Sequence, residues 1–337
     1  MNIQNYGIPS LNDPSLLAAR ITAVHRDRFE IVTEHGFSHA QMKRGLRVDE
    51  MPTVGDLVAV EYNPIGDSVA VEILPRKTLF ARLDGWHGTR QLIAANVDLT
   101  CIVTSLNAEF NLRRLERYLA LAKESGSSPV FVLTKRDLVD EATVERRMFQ
   151  VQTIAPECAV LSVSAHTGEG MDGLEALLSP GIIAVLLGSS GVGKSSLLNA
   201  LMHSDVMAVQ AIREYDDKGR HTTVHRQMLE LSCGALLIDT PGMRELAMWD
   251  AQEGVASAFA EVEEAAGRCR FSDCTHTHEP GCAVLAGLEE GTLEPGRVRN
   301  YLQLLAESDR TAAMARKREK MKEISRFSRA RKNDSRR

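Results

Sequence analysis

The run Gly188-Ser189-Ser190-Gly191-Val192-Gly193-Lys194-Ser195 constrains this 337-residue chain more than any other feature, because it satisfies the pattern GxxxxGK[ST] in full. An apolar stretch of strand length, IIAVLL at 182–187, precedes it. A helix-forming stretch beginning with Ser195 and Ser196, SSLLNALM, follows. Strand, glycine-rich loop and helix N-terminus in that order make a phosphate cradle. Glycines let backbone N–H groups turn inward around phosphate oxygens, where a side chain would obstruct the approach. The helix N-terminus adds partial positive charge. In such loops the lysine, here Lys194, reaches the β- and γ-phosphates, and the hydroxyl of Ser195 ligates Mg²⁺.

The base is read elsewhere. Thr134-Lys135-Arg136-Asp137 follows the apolar run VFVL. A carboxylate in that place accepts hydrogen bonds from both N1–H and the 2-amino group of guanine; adenine offers neither and would strand a buried acceptor. Asp137 is therefore the expected guanine discriminator. Thr134 stands where asparagine is commoner in the N/TKxD pattern, keeping a polar group without the amide. Ser164-Ala165 resembles the SA motif whose backbone meets the base. Asp239-Thr240-Pro241-Gly242 ends another apolar run, where Asp239 can reach the Mg²⁺ shell and Gly242 the γ-phosphate. TKRD and SA precede the phosphate loop and DTPG, whereas ordinary GTPases have them after it. A compact domain with neighbouring termini can be rejoined elsewhere without changing its sheet. A circularly permuted GTPase domain is predicted, and whatever follows Glu245 is tethered to the loop that senses the γ-phosphate.

The rest of the chain falls around that domain. Up to residue 79, short runs with period-two spacing (Val58/Val60/Tyr62, Val69/Val71/Ile73) separated by turn signals predict a small β-barrel, with an OB-fold the leading candidate. Residues 80–245 alternate strand and helix patterns, the signature of a largely parallel sheet covered by helices. One helical face is Leu112, Leu115, Tyr118, Leu119 and Ala122. Residues 246–337 predict a helical domain around a cysteine cluster. Cys269, Cys274 and Cys282, with His276 or His278 between them, offer three thiolates and an imidazole, the donor set of a closed structural Zn²⁺ site. Such a metal supplies folding energy to a segment with few apolar residues. Cys101, Cys158 and Cys233 lie scattered in apolar surroundings, so core thiols in a reducing compartment are expected.

The opening residues lack a signal peptide's basic and apolar regions, and the longest purely apolar stretch, 182–187, is too short for a bilayer. A cytoplasmic, monomeric protein without membrane attachment is expected. The net charge of −5 hides an asymmetry: residues 310–337 carry twelve Lys/Arg against three Asp/Glu, leaving the remainder at −14. A basic tail on an acidic body suggests a polyanionic partner met at one end.

With these motifs placed, the sequence resembles the bacterial small-ribosomal-subunit-dependent GTPase A family over nearly its whole length. The resemblance rests on the OB-type start, the permuted motifs, GRHTT at 219–223, DTPGMRE, and FSDCTHTHEPGCAV. It implies a GTP hydrolase acting late in small-subunit assembly and stimulated by that subunit, with the subunit and its rRNA as partners and with GTP or GDP, Mg²⁺ and one structural Zn²⁺ bound. The family pattern C-x4-C-x-H-x5-C selects His276. GRHTT falls where switch I belongs, and the resemblance favours Thr223 over Thr222 as the Mg²⁺-completing hydroxyl. Met243 occupies a position often held by a water-orienting glutamine and cannot polarise water; His221 becomes the candidate, alongside Lys194 and Thr223, for the catalytic set. Two other classes compete. A P-loop small-molecule phosphotransferase is opposed by TKRD with DTPG, and an RNA-binding structural protein with a vestigial nucleotide site by intact Lys194, Ser195 and Asp239.

Overall fold

The computed structural model describes residues 2–25, 28–43, 50–83, 90–107, 110–203, 226–239, 251–309 and 313. Five strands come first: β1 (Leu17–Val24), β2 (Phe29–Thr33), β3 (Gly36–Met42), β4 (Leu57–Glu61) and β5 (Ser68–Ile73). They are ordered β1-β2-β3-β5-β4, and β4 returns to pair with β1, closing a barrel. The β3–β5 pair is parallel and the others antiparallel, the arrangement of an OB-fold. Ala19, Ile21, Ile31, Val58, Val60 and Ala70 fill its interior. The predicted period-two face of the fifth strand is corrected by a bulge. Val58 pairs with Ile73 and Ala59 with Glu72, but Val60 pairs with Ala70, so Val71 is the extra residue. Ala70 and Ile73 therefore join the core, and Val69 and Val71 do not.

A hairpin of β6 (Leu79–Leu83) and β7 (Arg90–Ala95) leads on. Then come β8 (Leu99–Ser105), β9 (Ser128–Thr134), β10 (Ala159–Ser162), β11 (Ile183–Leu187), β12 (Arg226–Glu230) and β13 (Leu236–Asp239). Their order is β10-β9-β8-β11-β13-β12, parallel except for β12. The central strands read as continuous apolar runs because helices cover both faces of a parallel sheet. Helices α1 (Leu112–Ser125), α2 (Glu141–Ile154), α3 (Met171–Leu177) and α4 (Lys194–Met202) complete this layer. Asn111 and Asp140 cap α1 and α2 by accepting from the N–H groups of Arg114 and Thr143. The predicted apolar face of α1 is buried at Leu115, Tyr118, Leu119 and Ala122.

The barrel and this sheet are continuous, since β1 pairs with β12 at Ala23↔Gln227 and Val24↔Arg226. Two buried charged side chains tie the barrel strands to the segments that flank them. Arg20, buried, donates to the carbonyls of Tyr6, Gly7 and Gly55, and burial lowers its pKa to about 10. Asp56, fully buried, accepts from Arg76 Nε at 2.7 Å and Nη2 at 2.8 Å. Compactness divides the chain into two units, Met1–Phe80 with Leu92–Glu245, and Ala81–Gln91 with Leu246–Arg337.

Within the second unit, helices Gln252–Ala258 and Ala260–Ala266 meet at Phe259, and Ala283–Glu289 and the helical stretch 295–309 follow. Val255, Phe259 and Val262 are buried, and the helix breaks at Phe259. The Phe259 ring lies 5.8 Å from that of Tyr301 and beneath the Arg297 guanidinium.

Gly55 shows how closely the first unit is packed. Its φ is +90°, and a Cβ there would stand 2.0 Å from the Ala95 carbonyl oxygen. Gly55→Ala is expected to cost on the order of 2 kcal/mol or more, read as a lower urea midpoint; an unchanged midpoint would refute this close-packing account.

Candidate nucleotide site and metal centre

The phosphate loop joins the C-terminal end of β11 to the start of α4, at the sheet edge where open α/β folds bind ligands. Gly191 and Gly193 have φ of +78° and +98°. Gly188 is required for a different reason: a Cβ would lie 2.3 Å from the Val103 carbonyl oxygen. Lys194 Nζ donates to the Gly188 and Ser189 carbonyls at 2.6 and 2.5 Å, holding its charge against the loop. Ser195 and Ser196 are exposed on the first turn of α4, and Ser190 and Gly191 are exposed on the loop.

The TKRD turn is fastened directly to this loop. Thr134, buried at the end of β9, donates its hydroxyl to the Val192 carbonyl at 2.5 Å, with the Thr104 carbonyl 3.2 Å away. Lys135 takes a left-handed φ of +61°, and its Nζ donates to the Gly191 carbonyl at 2.7 Å. Asp137 accepts at 2.6 Å from the Ser164 hydroxyl, which joins TKRD to the SA turn. Ser164 is fully buried, and its oxygen also accepts from the N–H groups of His166 and Thr167. The Arg136 side chain turns to Glu141, Glu169 and Ser162, while its N–H donates to the Val163 carbonyl. Thr134, Lys135, Asp137, Ser164, Ala165 and the loop from Gly188 to Lys194 thus form one neighbourhood. Asp239 ends β13, beside β11. His221, Thr222, Thr223, Gly242, Met243 and the basic tail lie outside the described residues.

A contact absent from the sequence reading braces the loop from its other side. Arg114 Nη1 donates to the Ser189 hydroxyl at 2.8 Å, and the Tyr118 hydroxyl lies 3.2 Å from the same oxygen. Their i, i+4 spacing on α1 was visible; their partner 71 and 75 residues away was not.

In the second unit, Cys269, Cys274, His276 and Cys282 bring one ligand atom each within 4.8 Å of one another. The Cys269 and Cys282 sulfurs are 3.8 Å apart, and each lies 3.5 Å from His276 Nδ1. A tetrahedron built on Zn–S bonds of about 2.3 Å and Zn–N bonds of about 2.0–2.1 Å has S–S and S–N edges of roughly 3.8 and 3.5 Å. The cluster has the size and donor set for zinc. His278 turns instead to the Thr277 hydroxyl at 2.8 Å. Burial pushes the Cys269 thiol up, but hydrogen bonds from the N–H groups of Ala283 and Val284, at a helix start, together with those of Cys282 and Cys274, leave its pKa below the ordinary value. Cys101 and Cys158 differ: burial raises them to about 12 and about 11, as core thiols.

These features define a class: a P-loop GTPase of permuted strand order, carrying an OB-type barrel and a Cys3His knuckle. The RsgA GTPase family profile matches residues 73–249, and the chain belongs to that family. A relative from Streptomyces avermitilis, the small ribosomal subunit biogenesis GTPase RsgA, is 49% identical over 303 residues, 88% of this chain and 81% of its own. The small ribosomal subunit biogenesis GTPase RsgA 1 of Listeria monocytogenes is 44% identical over 316 residues, 91% and 89% of the two chains. Among solved structures, YjeQ from Thermotoga maritima superposes with a TM-score of 0.64 at 27% identity, covering 87% of this chain and 98% of its own. YloQ, a circularly permuted GTPase, gives 0.62 at 22% identity over 90% and 98%, a likeness of fold. The expected permutation and GTPase class are thereby borne out.

Thr134→Val keeps the shape of the brace but leaves the Val192 carbonyl without its hydroxyl donor. A loss of about 1–3 kcal/mol is expected, measured as a lowered urea midpoint, with Thr134→Ser close to wild type. Equal midpoints for the Val and Ser variants would remove the hydroxyl from the account.

Proposed function

We propose that this GTPase acts on the small ribosomal subunit late in its assembly, with hydrolysis stimulated by the subunit and coupled to release. The observation that carries the nucleotide half is the fastening of the TKRD turn to the phosphate loop, which brings a base-reading carboxylate and a phosphate cradle to one sheet edge. The ribosomal half is supported by relatives that bear the name of small-subunit biogenesis GTPases over most of this chain. The +9 tail supplies the charge to meet rRNA phosphates.

In this reading the backbone of Gly188, Ser189, Ser190, Gly191, Val192 and Gly193, with Lys194 and Ser196, holds the phosphates of GTP or GDP. Asp137 accepts from guanine, with Thr134, Lys135, Arg136, Ser164 and Ala165 framing the base. Ser195 and Thr223 ligate Mg²⁺, supported by Asp239, while Thr222 and Gly242 approach the γ-phosphate. Bound Mg²⁺ neutralises charge on the phosphate oxygens. His221 orients the attacking water in place of the missing glutamine at Met243. Loss of the γ-phosphate removes contacts from both switch segments, a sufficient cause for a change in subunit affinity. Cys269, Cys274, His276 and Cys282 hold a structural Zn²⁺ that leaves no open coordination position. No described helix is long and apolar enough to cross a membrane; work on the small subunit places the protein in the cytoplasm, where it acts as a monomer.

The decisive measurement is GTP turnover with purified small subunits, large subunits and neither. Small subunits alone should raise turnover at least tenfold; equal turnover in all three would overturn the ribosomal assignment. His221→Ala should abolish the stimulation and spare GTP binding, and full stimulation in that variant would remove His221 from the mechanism.

Asp137→Asn addresses the base. An amide presents one acceptor and one donor, matching the N1–H and 2-oxo edge of xanthine better than the two donors of guanine. GTP affinity should fall on the order of 10²–10⁴-fold while xanthosine triphosphate gains, both read by nucleotide competition. Retained guanine preference would take Asp137 out of base recognition.

A further inference from the structure

We infer that Glu279 is a positioning residue for the metal centre: its carboxylate sets the backbone of the loop that presents Cys274 and His276, and thereby tunes how tightly that centre holds zinc. This rests on the zinc reading of the Cys3His cluster. Oε1 of Glu279 accepts from the Thr275 N–H at 3.0 Å and from the Thr275 hydroxyl. Oε2 accepts from the N–H groups of Thr277 at 3.0 Å and His278 at 3.1 Å. One carboxylate therefore gathers three backbone donors and a hydroxyl from the residues on either side of His276.

The backbone between those donors explains why an anion belongs there. His276 sits in the left-handed region at φ +57°. L-residues with a Cβ avoid that region, so His276 stays there only while its neighbours hold the turn. Successive N–H groups converging around a left-handed residue form a concave nest that favours a negative charge. Here the anion is supplied by the chain itself, three residues beyond His276. Glu279 also reaches the other end of the knuckle, because its carbonyl accepts from the Cys282 N–H at 3.3 Å. Its side chain orders the Cys274–His276 limb and its backbone the Cys282 limb. Second-layer groups of this kind orient ligands without touching the metal.

Glu279→Gln tests this in the full chain. The amide keeps the shape but turns one acceptor into a donor facing backbone N–H groups. Zinc affinity, measured by competition with a chromogenic chelator, should weaken about 10–100-fold, and Co²⁺ substitution should show altered thiolate and ligand-field bands at saturation. Glu264→Gln, which removes an exposed carboxylate paired with Arg268 in the same unit, should match wild type. Excess zinc should restore the helical circular dichroism of Glu279→Gln. Affinity within twofold of wild type with an unchanged Co²⁺ spectrum would overturn the assignment. So would a variant whose helicity zinc fails to restore, since that is a general folding defect. A wild-type chain that takes up no zinc would overturn the metal reading and this inference together.

Discussion

The nucleotide site depends on two side-chain hydrogen bonds, from Thr134 to the Val192 carbonyl and from Lys135 to the Gly191 carbonyl. A trans peptide unit is planar, so fixing the carbonyl of one residue fixes the N–H of the next in the opposite direction. Drawing the Gly191 and Val192 carbonyls toward the TKRD turn therefore aims the Val192 and Gly193 N–H groups away from it. Lys194 applies the same constraint at Gly188 and Ser189 from within the loop. The phosphate cradle is thus shaped by what holds its carbonyls, and the glycines permit that shape more than they create it.

The same bonds explain why permutation leaves the site intact. TKRD and the phosphate loop lie 56 and 58 residues apart through these contacts, in the reverse of the usual chain order. In space, β9 and β11 flank β8 with all three parallel, so both motifs emerge at the same edge whichever is made first. Sheet order, set by apolar registry, decides which loops meet; chain order decides only what is attached to them. Here β12, the first described strand after the segment that contains GRHTT, also pairs with β1 of the barrel. The barrel is accordingly hydrogen-bonded to the strand that leads out of that segment.

What was legible in the sequence follows the same division. The phosphate loop, TKRD, SA and the cysteine cluster could be read because each needs particular residue types at fixed local spacing. A loop that must carry φ of +78° and +98°, and in which a Cβ at Gly188 would fall 2.3 Å from the Val103 carbonyl oxygen, leaves few choices but glycine. The barrel was readable as a class from short strands and turns, but its bulge at Val71 was not, because period-two patterning cannot reveal which partner skips a residue. Arg114 was equally invisible as a brace. A charged residue at the start of an amphipathic helix looks like a solvated face until the sheet brings Ser189 to it.

The two ionic centres answer one difficulty in opposite ways. Polar backbone that converges on a point must meet charge, or each N–H loses the partner that water gave it. The phosphate loop has the carbonyls of Gly188, Ser189, Gly191 and Val192 taken up by Lys194, Lys135 and Thr134, and in the function proposed above its N–H groups meet an external anion. The knuckle sequence, poor in apolar residues between Cys269 and Cys282, cannot order itself by burial. It combines a carboxylate that neutralises its own N–H nest with a Cys269 thiol that burial pushes up and that hydrogen bonds from the Ala283 and Val284 N–H groups, Cys282 and Cys274 bring below the ordinary value. A knuckle built this way holds its ligand limbs near their bound geometry, so that less ordering remains for the metal to accomplish.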